Sequence, residues 1–369
     1  MQWRSTQEIS LAVGLIGPGL VGKALLEQLR VQIPRLKNKG INLEVRGIMD
    51  SQQMLLAAEG DKLCLDTWGD DLLSKCTDAS LGVLTECLKA SDTPHRIILD
   101  CTASKMVPTF YARWMEQGIH VVTPNKRLNS GPLKNWQAVK ALQAAGQAHY
   151  MYEGTVGAGL PIISTLKTLL DSGDEVQRIE GVLSGTLSYI LNELRPGIKF
   201  SEVVWGAKRR GFTEPDPRDD LSGSDVTRKV TTLARECGQL VSPEDIPTES
   251  LVPESMRSLA SPQEFMSRLH EVDEEWEHRV READERGEVL RYVGSYDGES
   301  GLCKVGLRSF LKSHPFASLT STENIVQFTT SRYTAPPLIV RGPGAGPAVT
   351  AAGVFGDLIT LARYLGAPT

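Results

Sequence analysis

Nineteen residues, Gly211-Phe-Thr-Glu-Pro-Asp-Pro-Arg-Asp-Asp-Leu-Ser-Gly-Ser-Asp-Val-Thr-Arg-Lys229, concentrate the side chains best suited to chemistry. They hold five carboxylates (Glu214, Asp216, Asp219, Asp220, Asp225) and three cations (Arg218, Arg228, Lys229). Pro215 and Pro217 fix φ and remove two backbone donors, so Thr213 to Asp219 cannot form a helix interior. From Asp220 onward Asp225, Val226, Lys229, Val230, Leu233 and Ala234 recur at helical spacing, with Ser222, Ser224 or Asp225 as the N-cap. Asp225 and Lys229, at i and i+4, share one face. A rigid acidic loop feeding such a helix suits a substrate with an ammonium group beside a carbonyl or hydroxyl: carboxylates hold the cation and Lys229 passes a proton. Taken alone, the same residues also describe a stiff surface loop and an ordinary helix ion pair worth a few tenths of a kcal/mol. The rest of the chain decides between them.

The elements that would position a reaction partner begin near the start. Leu11-Ala-Val-Gly-Leu-Ile16 is a short apolar run, enough for one buried parallel strand. It leads into Gly17-Pro-Gly19-Leu20-Val21-Gly22 and then a helical pattern from Lys23 to Leu29. This is the dinucleotide fingerprint in its required context, between strand and helix. Gly17 makes the tight turn, Gly19 lets backbone approach a pyrophosphate, Gly22 lets the helix sit close, and the helix start offers free N–H groups to phosphate. A second strand, Leu43 to Met49, ends in Asp50, where an acid would grip the ribose hydroxyls or simply open a turn. Its distance from the glycines exceeds the usual interval of roughly 20 residues, with the extra length in the Pro34–Gly40 connection. An acid there with no arginine after it favours NAD over NADP.

The stretch from Ser51 to Thr93 reads as polar and helix-rich. Two more strands, Arg96 to Asp100 and His120 to Thr123, end in the loops Cys101-Thr-Ala-Ser104 and Pro124-Asn-Lys-Arg127. Ligands of open parallel sheets bind at the carboxyl ends of the strands. Thr102 and Lys126 therefore stand where a nicotinamide ring and its reaction partner would meet, although a solvated loop lysine fits the position equally well. His149 to Glu153 reads as the last strand of the first domain. The following Gly154-Thr-Val-Gly-Ala-Gly-Leu-Pro161 has an irregular, glycine-rich backbone that can cage a cation through main-chain oxygens or act as a hinge. Beyond it, Arg178 to Ser184 alternates as a strand, and Gly185 opens a helix capped by Ser184 or Thr186. Phe265 to Gly287 forms one amphipathic helix with Phe265, Leu269, Val272, Trp276, Val280 and Ala283 in its apolar stripe. Strands return at 288–295, 303–311 and 325–331. The expected organisation is α/β: a Rossmann-type parallel-sheet domain over 1–150, then an α+β substrate-binding and dimerisation domain over 151–335. A tail over 336–369, with a second glycine-rich turn before a helix from Val349 to Leu365, returns to the first domain.

The 369-residue length suggests two or three domains. With 41% hydrophobic and 23% charged residues the composition is that of a globular protein. A formal net charge of -5 argues against nucleic acid or an anionic membrane as the main partner. No apolar run approaches the roughly 20 residues that span a bilayer, and residues 1–10 show no signal or transit pattern. Six cysteines without a CxxC pair imply reduced thiols, so the expected compartment is the cytoplasm, or an organelle if a transit peptide has been removed. The histidines are equally dispersed, which argues against a His/Cys metal site.

The chain closely resembles homoserine dehydrogenases over nearly its whole length, most like the short monofunctional type. The resemblance rests on the motifs Gly17-Pro-Gly-Leu-Val-Gly22, Thr123-Pro-Asn-Lys126, Glu153-Gly-Thr-Val-Gly-Ala-Gly-Leu-Pro-Ile162, Ser184-Gly-Thr-Leu-Ser-Tyr189 and Gly211 to Asp220 in that order. Asp225, Lys229 and the C-terminal Gly342-Pro-Gly-Ala-Gly346 complete it. It implies reversible NAD- or NADP-dependent conversion of L-homoserine to L-aspartate 4-semialdehyde, towards threonine and methionine, by a homodimer. It also implies roles. Lys229 exchanges the proton at the substrate oxygen and Lys126 is a second catalytic or positioning cation. Glu214 binds the amino end, while Asp219, Asp220 and Asp225 line or order the pocket. The fingerprint residues and Gly346 contact the cofactor. Glu153, Val156, Ala158 and Leu160 hold a sodium or potassium ion, largely through main-chain oxygens. Many family members carry a fused aspartate kinase or a C-terminal regulatory domain; the match ends soon after the closing helix, so threonine feedback through such a domain is not expected.

The chemistry agrees. Hydride transfer to an aldehyde needs a proton donor at the developing alkoxide, and lysine supplies one. A free lysine, with a pKa of about 10.4, is a good acid but a poor base at neutral pH, so oxidation is expected to work best at alkaline pH. Two other readings compete. Aspartate-semialdehyde dehydrogenase needs a nucleophilic cysteine, for which Cys101 is the candidate. A non-catalytic NAD(H) sensor would leave the acidic loop and both lysines unexplained.

Overall fold

The computed structural model describes residues 8–368. They form two compact units: the chain up to Gly159 together with the segment from Gly346, and Leu160–Ala345.

The first unit is built on a seven-stranded sheet of order β4-β3-β2-β1-β5-β6-β7. Its strands are β1 (Ile9–Ile16), β2 (Ile41–Met49), β3 (Gln53–Leu56), β4 (Thr77–Asp78), β5 (His95–Asp100), β6 (Ile119–Val122) and β7 (Tyr150–Met151). β2, β1, β5, β6 and β7 run parallel. β1 is buried along nearly its whole length, as expected of a strand covered on both faces. Strand order reverses between β1 and β5, and their carboxyl ends lie side by side: Ile16 pairs with Asp100. In a doubly wound sheet this switch point is the ligand crevice.

Two sequence expectations change here. The segment after Asp50 is not helix-rich throughout; it opens with β3 and β4, which pair antiparallel beyond β2. The Leu20–Asn38 helix also runs through Pro34 instead of stopping before it. Leu36, 6% exposed in the core, lies beyond the proline, and its burial offsets the lost helix bond. The long interval between the glycines and Asp50 is therefore helix rather than loop. The C-terminal helix Pro347–Tyr364 belongs to this unit and packs Ala351, Val354, Leu358 and Leu361 with Leu25, Leu26 and Leu29 in one core.

The second unit carries an antiparallel five-stranded sheet of order β10-β9-β8-β11-β12. Its strands are β8 (Val176–Val182), β9 (Glu288–Asp297), β10 (Cys303–Leu311), β11 (Glu323–Thr330) and β12 (Leu338–Pro343). The expected single helix from Phe265 to Gly287 is two, Pro262–Arg268 and Asp273–Glu285, joined by a 3-10 turn over Leu269–Val272. The bend leaves Phe265, Leu269, Trp276, Val280 and Ala283 buried while Val272 comes partly to the surface. Among the described residues no helix is long and apolar enough to cross a membrane.

Candidate active site

In the first unit the site is made of backbone. Gly17 turns with φ of +87° at the end of β1, and its N–H donates to Met49 O at 2.8 Å. A β-carbon on Gly22 would stand 2.2 Å from Gly17 O, so the helix lies against the turn only because Gly22 has none. A β-carbon on Gly19 would meet nothing within 4 Å, and the helix that follows has no side-chain cap. Among the described residues no side chain caps the first helical N–H groups, and Leu20 stands 77% exposed beside half-buried Val21. An open, uncapped helix start fits a pyrophosphate.

Asp50 Oδ1 accepts the N–H groups of Gln52 (2.7 Å) and Gln53 (2.8 Å), so one carboxylate oxygen builds the turn into β3. At the ends of β5 and β6 a fully buried carboxylate, Asp100, ties two loops together. It accepts Thr102 N–H (2.8 Å), the Tyr111 hydroxyl (2.5 Å) and Asn125 Nδ2 (3.0 Å). Burial pushes the Asp100 carboxyl up, and the hydrogen bonds from Thr102, Tyr111 and Asn125 oppose that shift. The Thr102 hydroxyl accepts Ser104 N–H at 3.1 Å, and half-buried Lys126 follows Asn125 directly. Asp100, Tyr111 and Asn125 were not singled out from sequence; the only signal was the acid ending a strand. Burial pushes the Cys101 thiol upward, the opposite of what a nucleophilic cysteine needs.

Glu153 opens a 3-10 turn, Glu153–Thr155; its N–H donates to Asp357 Oδ2 at 2.7 Å, and its carbonyl accepts Val156 N–H at 3.4 Å. Ala158 holds φ of +56°, which is uncommon outside glycine. Leu160, in the second unit, accepts Ile162 N–H at 2.8 Å through its carbonyl. Main-chain carbonyl oxygens as a type suit a hard cation, since each has a second lone pair. Among the described residues no cluster of three or more His, Cys, Asp or Glu could hold a metal ion.

In the second unit the site is made of charge. The acidic loop contains a short helix, Pro217–Leu221, with proline at its first turn and Asp216 as cap. Asp216 also pairs with Arg218 at 2.7 Å, and this guanidinium holds the Asp216 carboxyl below its ordinary range. The next helix, Ser224–Glu236, has Gly223 at φ of +75° as its N-cap residue, so none of Ser222, Ser224 or Asp225 takes that position; Ser222, one residue earlier, still accepts the Ser224 N–H at 3.2 Å through its hydroxyl. That helix sits tight on β9: a β-carbon on Gly294 would stand 2.4 Å from Val230 Cγ2.

Lys229 is consequently buried, 6% exposed, with its ammonium 2.9 Å from Asp225 Oδ2 and donating to Leu183 O at 2.6 Å. The Leu183 carbonyl, at the end of β8, carries no motif and is invisible in sequence. Asp220 accepts Glu214 N–H at 2.8 Å. Burial holds the Asp220 carboxyl up at about 6; hydrogen bonds from Glu214 N–H and Thr186 oppose this, while the charges of Glu214 and Asp225 add to it. Glu214, Asp220, Asp225 and Lys229 thus form one interacting group, whereas Asp219 is exposed on the short helix. Ser184 caps the Gly185–Glu193 helix, accepting Leu187 N–H at 3.2 Å.

The fold and these groups define a class: a Rossmann-type nucleotide-binding unit joined in sequence to an antiparallel α+β unit bearing a buried lysine among carboxylates. Comparison with known proteins makes this particular. Residues 17–153 match the NAD-binding domain of homoserine dehydrogenase, and residues 161–359 match the homoserine dehydrogenase domain proper. The chain is 40% identical to homoserine dehydrogenase of Saccharomyces cerevisiae, covering 98% of this chain and 100% of that one. It is 51% identical to a chloroplastic bifunctional aspartokinase/homoserine dehydrogenase of Zea mays over 98% of its own length. The match spans 39% of that longer relative. Among solved structures it superposes on a Candida auris protein of unknown function with a TM-score of 0.89 and 38% identity, covering 96% of this chain and 98% of that one. A hyperthermophilic archaeal homoserine dehydrogenase in complex with NADPH shares the fold, with a TM-score of 0.72 at 22% identity, covering 98% and 100% of the two chains. The chain belongs to the homoserine dehydrogenase family.

Proposed function

We propose that this chain interconverts L-homoserine and L-aspartate 4-semialdehyde, with Lys229 as the group that gives and takes the proton at the substrate oxygen. The observation that carries the reading is the buried Lys229 ammonium, fixed between Asp225 (2.9 Å) and the Leu183 carbonyl (2.6 Å) on the helix that follows the acidic loop. A bound NAD or NADP supplies the hydride chemistry. Family membership, and the uncapped helix start after Gly19, support the cofactor's place at Gly17, Gly19, Leu20, Val21 and Gly22, with Asp50, Thr102, Lys126 and Gly346 as further contacts.

The remaining roles follow charge. Glu214 and Asp220 hold the substrate ammonium, Asp219 contributes from the rim, and Asp225 keeps Lys229 in register. Lys126 provides a second positive group towards the reacting carbonyl. Glu153, Val156, Ala158 and Leu160 offer oxygens to a sodium or potassium ion. The first unit is read as the cofactor domain and the second as the substrate and dimerisation domain. The assembly is read as a cytoplasmic homodimer serving threonine and methionine synthesis, without nucleic acid or membrane as partner.

The reading is tested by initial rates of L-homoserine oxidation with NAD and with NADP. Turnover with at least one is expected, with the ratio favouring NAD if Asp50 faces the ribose. No turnover with either overturns the assignment.

A further inference from the structure

The Leu183 carbonyl that receives Lys229 has a second donor. Asn324, in β11, is 0% exposed and donates Nδ2 to Leu183 O at 3.1 Å. Among the described residues its Oδ1 has no hydrogen-bond partner. The backbone of the glycine-rich turn closes directly over this amide, since a β-carbon on Gly344 would stand 2.0 Å from Asn324 Cγ.

A buried acceptor left without a donor is destabilising, because it gives up its hydrogen bonds to water and gains none. A leucine of similar shape would avoid that cost, so stability alone does not account for an amide here. Among the described residues the one hydrogen bond the amide makes is to the carbonyl that holds the reactive ammonium. We propose that Asn324 is a positioning residue: it fixes the Leu183 carbonyl and thereby the direction of the Lys229 ammonium. An ammonium has three N–H donors in fixed tetrahedral directions. Asp225 and Leu183 O take two of those directions, so a shift of either acceptor turns the whole ammonium relative to the substrate oxygen. Without Asn324 the 183–184 peptide can tilt, and Asp225, on the same helix as Lys229, is left to orient it.

This inference rests on the proposed dehydrogenase activity, and its test separates the two. Asn324→Leu is compared with the unaltered protein in homoserine oxidation. The expected result is a kcat lowered about 10- to 100-fold, since small misplacement of a reacting group has effects of that order. KM for homoserine and cofactor stays within about twofold, and the thermal midpoint is unchanged or raised. On a Lys229→Ala background the same substitution causes no further loss, because it acts through the lysine. Gly344→Ala, which displaces the amide sterically, reproduces the kcat-selective loss and serves if the leucine variant does not fold. Retention of full kcat, a loss confined to KM, or an equal loss in both backgrounds overturns the positioning role while leaving the activity intact. Absence of turnover in the unaltered protein overturns both.

Discussion

The candidate functional groups of the two units are built from different materials. At the glycine turn of the first unit the working parts are backbone N–H groups and the space left by missing side chains: Gly22 lies 2.2 Å, measured from a would-be β-carbon, from Gly17 O. At the acidic loop of the second unit they are charges held in a partly buried environment, with Lys229 against Asp225 and Asp220 shifted by its burial. Steric substitutions should therefore damage the first half and isosteric, charge-changing ones the second. Each half should be breakable without the other.

The largest effect outside the lysine itself is expected from Gly22→Ala. Its methyl group must push the Leu20–Asn38 helix off the turn, costing about 1–3 kcal/mol of stability and weakening cofactor binding on the order of 100-fold. Equilibrium cofactor titration with thermal unfolding measures both, and unchanged cofactor affinity would remove the distinction between the halves. Next is Asp225→Asn, which keeps the shape and removes the charge. Loss of a charge-assisted bond of about 1.5–3 kcal/mol predicts kcat down roughly 10- to 100-fold with cofactor affinity unaltered.

The smallest effect concerns pH. Asp220 has a folded pKa of about 6, above the ordinary aspartate value of about 3.9. The folded state then binds the extra proton between those values, so this group's contribution to stability is complete below about pH 4 and is lost as pH rises through 6. Binding of a substrate ammonium runs the other way, because it needs the ionised form. KM for homoserine should therefore fall as pH rises through 6, and Asp220→Asn should flatten both trends. A KM profile with the same inflection in that variant would assign the titration to another group.

This contrast also explains what was legible in the sequence. The glycine fingerprint is local in the chain, and glycine spacing between an apolar strand and a helix reports backbone geometry directly. Asp225 and Lys229 were equally legible, because helical spacing alone puts them on one face. The Leu183 carbonyl and Asn324 were not. Each is distant in sequence from Lys229, and they come together only because β8 and β11 pair in the second sheet. The sequence shows Asp100 only as a strand end, whereas its hold on Tyr111 and Asn125 depends on the parallel pairing of β5 with β6. The misplaced helix boundaries at Pro34 and within 265–287 share one cause: burial of Leu36 in one case, and of Leu269 and Trp276 in the other, outweighed local backbone preference.

On the proposed function the proton belongs to the second unit and the cofactor to the first. The most direct measurement is L-homoserine oxidation by Lys229→Ala alongside cofactor binding to the same sample. The expected result is a kcat lowered by about 10²- to 10⁴-fold, the range of general acid–base assistance, with the cofactor dissociation constant unchanged. Turnover close to that of the unaltered protein would contradict it and move the proton to Lys126.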